Sequence, residues 1–222
     1  VVAVLDAGAD AVYLGGKTLN MRMHRSSYNL DNDGVAEAIA LTHERGAKLY
    51  YTLNSLTFED ELSEVRHALA AIGELGPDAL IVQDIGVASL AREVCVHVPL
   101  HASTMMNVHN AETAAALKMT GFTRFIASRD IPLHLIREVA TASGLEAECF
   151  VHGDMCNAQS AQCHLSGIAF GESSNRGRCM KPCRWCWELA VLKGDSRLAR
   201  DADGYLLARK DLCLYQHIPA LV

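Results

Sequence analysis

KLYYTLN (Lys48–Asn54) and ALIVQD (Ala79–Asp84) set the reading of the whole chain. Each is a short, nearly continuous apolar run that ends on a polar residue. Strands buried on both faces read this way, whereas a strand with one wet face alternates. Between them, Leu62, Val65, Leu69 and Ile72 recur at helical spacing, and the segment stops at Gly76-Pro77. Strand, helix, strand is the unit of a parallel sheet.

The same rhythm extends both ways. Upstream, AVYLGG (Ala11–Gly16) reads as a buried strand after a helix end with Gly8 as its cap, and Val35, Ile39 and Thr42 line a helix stopped by Gly46. Downstream come a helix near Val87–Val94, strand LHAS (Leu100–Ser103), a helix at Ala111–Met119 and strand RFIASR (Arg124–Arg129). A helix at Pro132–Thr141 and strand EAECFVHG (Glu146–Gly153) complete the series. A (β/α)₈ barrel and an open doubly wound sheet both give this pattern. Polar residues recur at the strand C-termini, namely Asn54, Asp84, His101 with Ser103, Arg129 and His152. Barrel enzymes keep their chemistry at that face, and no GxGxxG fingerprint supports a dinucleotide fold. The expected architecture is α/β, a TIM-like (β/α)₈ barrel, incomplete here, with one strand before Val1 and one after Val222 completing eight.

Composition bounds the function. The chain has 222 residues, half of them hydrophobic and 21% charged, which suits one soluble domain. A net charge of −6 argues against non-specific electrostatic binding of nucleic acid and leaves RNA to be held by a local patch. No apolar run approaches the roughly 20 residues of a membrane span. Cys95 is alone among the residues before Cys149, so a disulfide scaffold is not expected, and reduced thiols point to a cytoplasmic protein. Met21–Asp33 reads as a long polar loop over the barrel mouth.

After Gly153 the alternation is lost. The expected division is 1–153 as barrel βα units and 154–222 as a cysteine-rich metal-binding segment packed on the same barrel, with a hairpin over Leu189–Leu207 turning at Asp203-Gly204. Six of the eight cysteines, Cys149, Cys156, Cys163, Cys179, Cys183 and Cys186, fall between Glu148 and Cys186. Cys213 follows in ARKDLCLYQ. Thiolates suit zinc, copper(I) and iron–sulfur clusters. A structural zinc site shows two Cys-x₂₋₄-Cys knuckles, and only Cys179-x₃-Cys183-x₂-Cys186 resembles one. Irregular spacing suits a cluster with four cysteine ligands. Cluster, zinc and no metal all stay open on spacing.

The run ECFVHGDMCNAQSAQCHLS (Glu148–Ser166) resembles the signature of the collagenase-like peptidases of family U32, whose catalytic type is unassigned: Glu-x-Phe, a Gly, then Cys-x₄-Gly-x-Cys-x-apolar-Ser. GADAVYLGG (Gly8–Gly16), LNMRM (Leu19–Met23), PDALIVQDIG (Pro77–Gly86), HASTMMNVHN (His101–Asn110), NRGRCMKPCR (Asn175–Arg184) and ARKDLCL (Ala208–Leu214) look like further family blocks. Ala161 stands where the signature has Gly, Asp154 where it has Ser or Ala, and Asp130 where Glu is usual.

The resemblance implies a TIM-like barrel and, in several branches, a 4Fe–4S cluster. Those branches act in oxygen-independent hydroxylation of tRNA, rRNA or a quinone precursor, with prephenate as oxygen donor; RNA or a small molecule is the expected substrate here, and a related family subunit an expected partner. Their ligand pattern falls on Cys156, Cys163, Cys179 and Cys213, with Cys183 the rival for the fourth place. The older label implies a protease, and a non-catalytic metal-bearing module that binds RNA or a partner is a third reading. HExxH and GxSxG are both missing.

Among single residues, His152 is a candidate general acid or base, and Arg129 and Arg22 are candidates to clamp a dicarboxylate. Arg25 reads as a solvated charge. Asn54, Asp84 and His101 are candidate pocket residues. Cys149 and Cys95 read as buried small hydrophobes, and Cys186, between two tryptophans, as a packed one.

Overall fold

The computed structural model describes residues 1–190, 197–200, 205–208 and 210–221. A short helix α1 (Val2–Asp6) leads into β1 (Ala11–Gly15), with Gly8 in the left-handed region at φ +89 between them. The series continues α2 (Asn32–Glu44), β2 (Lys48–Leu53), α3 (Leu62–Leu75), β3 (Ala79–Val82), α4 (Ile85–Val94), β4 (Leu100–Ala102), α5 (Ala111–Met119), β5 (Phe122–Ile126), α6 (Leu133–Ser143) and β6 (Glu146–Glu148). The six strands are parallel and lie in the order β1-β2-β3-β4-β5-β6. A doubly wound sheet reverses its order at a switch point. Unbroken sequential order with right-handed crossovers curls instead into a barrel, here an incomplete one.

Alternation along each strand sorts the core into two layers. Leu49, Tyr51, Leu53, Leu80, Val82, Leu100 and Phe125 turn outward against the helical stripes Val35–Ile39 and Val65–Leu69–Ile72. Each such fully buried side chain contributes about 1.5–3 kcal/mol. The concave layer is smaller and built on Tyr50, Ala79, Ile81 and Ile126, with Phe150 packed on it. Charged groups enter the same face. Arg124 is held by Glu146 at 2.7 Å and Glu148 at 3.4 Å, and its guanidinium lies over the Tyr50 ring.

Two expected strands are shorter or placed differently. The run Arg124–Arg129 is strand only as Phe122–Ile126, because Phe122 is buried and pairs with Leu100 across a bulge. The run Glu146–Gly153 breaks after Glu148. Its neighbour β5 has ended there, and Ala127 N–H to Glu148 O is the last bond of the ladder. The chain then forms β7 (His152–Asp154), which leaves the barrel sheet.

Beyond β7 come α7 (Leu165–Phe170), an antiparallel pair β8 (Glu188–Ala190) and β9 (Arg197–Arg200), β10 (Asp211–Cys213) and α8 (Ile218–Leu221). An antiparallel pair is thus present within the expected span, but its strands are joined through residues 191–196, so Asp203-Gly204, which follows β9 and lies outside the described residues, is not its turn. β10 runs antiparallel to β7 with Cys213 opposite His152. Among the described residues no helix is long and apolar enough to cross a membrane.

His101 lies within the concave layer, 5% exposed, its ring edge-on to Tyr50 at 4.8 Å and its Nδ1 without a hydrogen-bond partner among the described residues. Burial first, then the Arg124 charge, depresses its pKa to about 4. A histidine depressed in the folded state stabilises the fold above its unfolded value near 6.5, and that contribution is lost as pH falls toward the folded value. Denaturation between pH 6.5 and 4 is therefore expected to show a loss on the order of 3 kcal/mol from this group. A His101→Gln variant should lack that slope; an unchanged slope would place it on other groups.

Candidate active site

Strand ends deliver the site. Asn54 follows β2 and accepts a hydrogen bond from the Met21 amide at 3.1 Å, while its amide nitrogen donates to Ser103 Oγ at 3.4 Å. Asp84 follows β3 and is fully engaged. Its Oδ1 caps α4 through the Gly86 and Val87 amides, and its Oδ2 accepts from the amide and hydroxyl of Thr57. Both residues fix the loops around the mouth. Arg22, on the loop after β1, donates to the Tyr13 hydroxyl at 2.7 Å and lies over that ring. Arg25 is exposed against Tyr28.

Arg129 lines a cavity. Its guanidinium sits 4.2 Å from the centroid of the Phe150 ring, and Nη1 donates to Ser160 Oγ at 3.4 Å. With Ser128, Asp130 and the loop Met155–Ser160 it lines a cavity of about 260 Å³ that also contains Cys156. An Arg face on an aromatic leaves the edge N–H groups free to pair with a carboxylate. One strand-end cation and one candidate metal ligand thus share a wall.

A polar chain behind this wall was not singled out in the sequence. Ser128 Oγ and His109 Nε2 both bond to Asp130 Oδ1, at 2.5 and 2.9 Å, and His109 Nδ1 faces the Asn107 carbonyl at 2.7 Å. Both ring nitrogens face acceptors, which favours the imidazolium. The Asn107 carbonyl first, then the Asp130 carboxylate, raises the His109 pKa. Asp130, lowered chiefly by the Ser128 hydroxyl, stays ionised. The chain fixes the loop that carries Arg129. It also tells against a serine nucleophile, because neither Ser128 nor Ser103 bonds to a histidine among the described residues. Nor does a hydrogen bond join Cys156 to His152 among them.

The cysteine segment is fastened across these loops. Arg176 pairs with Glu61, stacks on Phe58 at 3.9 Å and donates to the Leu56 carbonyl. Gly177, at φ +81, lies against the Asn20 backbone where a Cβ would collide, and its carbonyl accepts from the His24 amide. Within the segment, Asn175 Oδ1 accepts from the Cys163 amide, Ser174 donates to the Cys163 carbonyl, and buried Ser166 accepts from the Met180 amide beside Cys179. Asp154, a departure from the signature, pairs with Lys181 and Arg184 and so ties β7 to the turn carrying Cys183.

All eight cysteines are free thiols. Cys95 is buried behind Gly73, and Cys149 packs on the main core. Cys186 is exposed and not packed, because the tryptophans on either side of it turn toward each other at the surface. Burial raises the Cys183 thiol above its ordinary range. The thiols of Cys179, Cys156 and Cys163 push the same way, and Arg184 opposes them. Those four sulfurs are therefore electrostatic neighbours. The Lys181 amide points at Cys179 Sγ, 3.4 Å away, a contact of the kind that tunes bound thiolates. Cys213 and His152 stand opposite each other on the β7–β10 ribbon. Among the described residues no three candidate ligands surround one point at coordinating distance. The donor type, several thiols on neighbouring turns, is the one that suits a thiolate-bound metal group.

Ala161 sits between Cys156 and Cys163 at φ +57, a conformation that costs an L-residue about 1–2 kcal/mol and glycine little. Allowing for the added freedom of the unfolded chain, Ala161→Gly is expected to stabilise the protein by about 0.5–1 kcal/mol, read as a higher denaturant midpoint. A lower midpoint would show that this backbone conformation is not held in solution.

The sequence model of peptidase family U32 matches residues 1–222. The chain is 38% identical, over 98% of its length, to an uncharacterized protease of Methanocaldococcus jannaschii, of which it covers 54%. It is 36% identical, over 97% of its length, to the 23S rRNA 5-hydroxycytidine synthase of Escherichia coli, of which it covers 32%. The chain thus spans about half or less of these relatives. A solved U32 peptidase superposes with a TM-score of 0.53 at 15% identity, over 68% of this chain and 65% of that one, which speaks to the fold alone. With the family model matching end to end and the barrel in place beneath the cysteine signature, the chain belongs to peptidase family U32.

Proposed function

We propose that this chain forms the barrel and metal-bearing part of an RNA hydroxylase. In this reading a thiolate-held 4Fe–4S cluster lies at the strand-end face, and a small carboxylate such as prephenate serves as oxygen donor. The observation that carries the reading is the shared cavity of Arg129 and Cys156. At about 260 Å³ it suits a small organic acid better than a peptide, since drug-sized sites start near 300 Å³. The name of the rRNA-modifying relative supports RNA as the substrate class.

Cys156, Cys163 and Cys179 would hold the cluster with Cys213, as the family blocks align, and Cys183 is the thiol that proximity offers in its place. When bound, the group supplies one-electron chemistry next to the cavity. The protein's own residues do the rest. Arg129 binds and orients a carboxylate through paired N–H groups, and Asp130 and His109 hold its loop. The cysteine segment is clamped to the strand-end loops by Arg176 and Gly177. In this reading His152, opposite Cys213 on the ribbon, holds or moves a proton there.

Anaerobic purification with iron, acid-labile sulfide and zinc assays tests this. Iron and sulfide near ~4 per chain are expected, lost in Cys213→Ala and kept in Cys183→Ala. Loss in Cys183→Ala instead would move the fourth ligand. Zinc alone, or no metal after anaerobic reconstitution, would overturn the reading.

A further inference from the structure

Both tryptophans of the chain lie in one exposed patch. Trp185 and Trp187, 41% and 37% exposed, stack with rings 13° apart and centroids at 6.5 Å. Phe170 packs on Trp185 at 4.8 Å, and Ile168 beside it is 85% exposed. Trp187 Nε1 donates to the Pro182 carbonyl at 2.6 Å, which anchors that ring to the turn. Large aromatics grouped at a surface mark an interaction site more often than chance exposure.

The surroundings select the partner. Residues 171–190 carry four cations, Arg176, Arg178, Lys181 and Arg184, each paired with a carboxylate on or near the segment. Arg176 and Arg184 are committed to Glu61 and to Asp154 with Asp211. Arg178 and Lys181 are about half exposed, in exposed pairs with Glu172 and Asp154. Such pairs are weak, and a phosphate can exchange for the carboxylate. Flat ring faces flanked by mobile cations are what single-stranded nucleic acid uses, with bases on rings and phosphates on cations. A duplex hides its base faces. A protein partner would gain from the apolar area but has no particular use for the cations.

The patch is also adjacent to the chemistry. Trp185 lies two residues after Cys183, and Trp187 is anchored to the turn that holds Cys183. We infer that Phe170, Trp185 and Trp187 form a stacking platform for unpaired bases of single-stranded RNA, with Arg178 and Lys181 on the flanking phosphates. The inference rests on the reading of RNA as substrate class, but not on the cluster.

Intrinsic fluorescence reads the patch directly, because both tryptophans are in it. The full chain, without added metal and at moderate salt, is titrated with a 12-nucleotide mixed single-stranded RNA and with the matched duplex. Saturable quenching by the single strand and much weaker quenching by the duplex are expected. In anisotropy with labelled RNA, Trp185→Ala should weaken binding roughly ten- to hundred-fold, while Trp185→Phe, which keeps a ring and the local packing, should retain most of it. No quenching by the single strand, equal quenching by the duplex, or undiminished affinity in Trp185→Ala would each overturn the platform. So would a fluorescence change that tracks protein concentration without RNA, which would assign the patch to self-association. Quenching with no metal uptake would leave the platform standing and remove the cluster; metal uptake with no quenching would do the reverse.

Discussion

The arrangement depends on one close backbone approach, Gly177 against Asn20. Gly177 at φ +81 has no side chain to hold the segments apart, and the adjacent Arg176 is anchored by an ion pair, an aromatic face and a carbonyl. Together they press an irregular, cysteine-bearing segment onto the loops at the C-terminal end of a parallel sheet. That seam fastens the part of the segment carrying Cys179 and Cys183 to the strand-end loops. Cys156 joins Arg129 around one cavity through its own loop, tied by Ser160 to Asn107 and Arg129. The barrel supplies the rigid platform for both.

Rigidity is reinforced at each strand end by side chains that could have served as ligands for substrate. Asn54 and Asp84 spend their polar atoms on neighbouring loops. Asp130 spends its own on Ser128 and His109. Arg129 is left with guanidinium edges that its one hydroxyl contact does not saturate. The proposed preference for an anion draws on that contrast, since Asn54, Asp84 and Asp130 are spent on neighbouring loops while Arg129 keeps part of its edge open.

Much of this was legible in the sequence, for physical reasons. Parallel strands covered on both faces announce themselves as apolar runs such as ALIVQD, and the helical stripes Val65–Leu69–Ile72 and Val35–Ile39 carry their period openly. Glycines that end helices, Gly46 and Gly76, sit in left-handed backbone as their position implies. Strand order was not legible, because a barrel and a doubly wound sheet share one pattern. The break after Glu148 was hidden too: ECFVHG is a good strand sequence, and only the end of β5 beside it stops the ladder. His109 gave little warning, since its importance comes from a carboxylate 21 residues away. The outward turn of Trp185 and Trp187 contradicts the usual burial of that residue type and left Cys186 at the surface.

The central claim is that a small carboxylate bound by Arg129 lies against Cys156. Its most direct test needs no cluster. In the metal-free, reduced chain, the alkylation rate of Cys156 is followed by mass spectrometry with and without prephenate, in the parent and in Arg129→Ala. The account predicts that prephenate slows modification of Cys156 in the parent, leaves exposed Cys186 unaffected, and gives no protection in Arg129→Ala. Equal rates with and without prephenate in the parent, or protection that persists in Arg129→Ala, would contradict it.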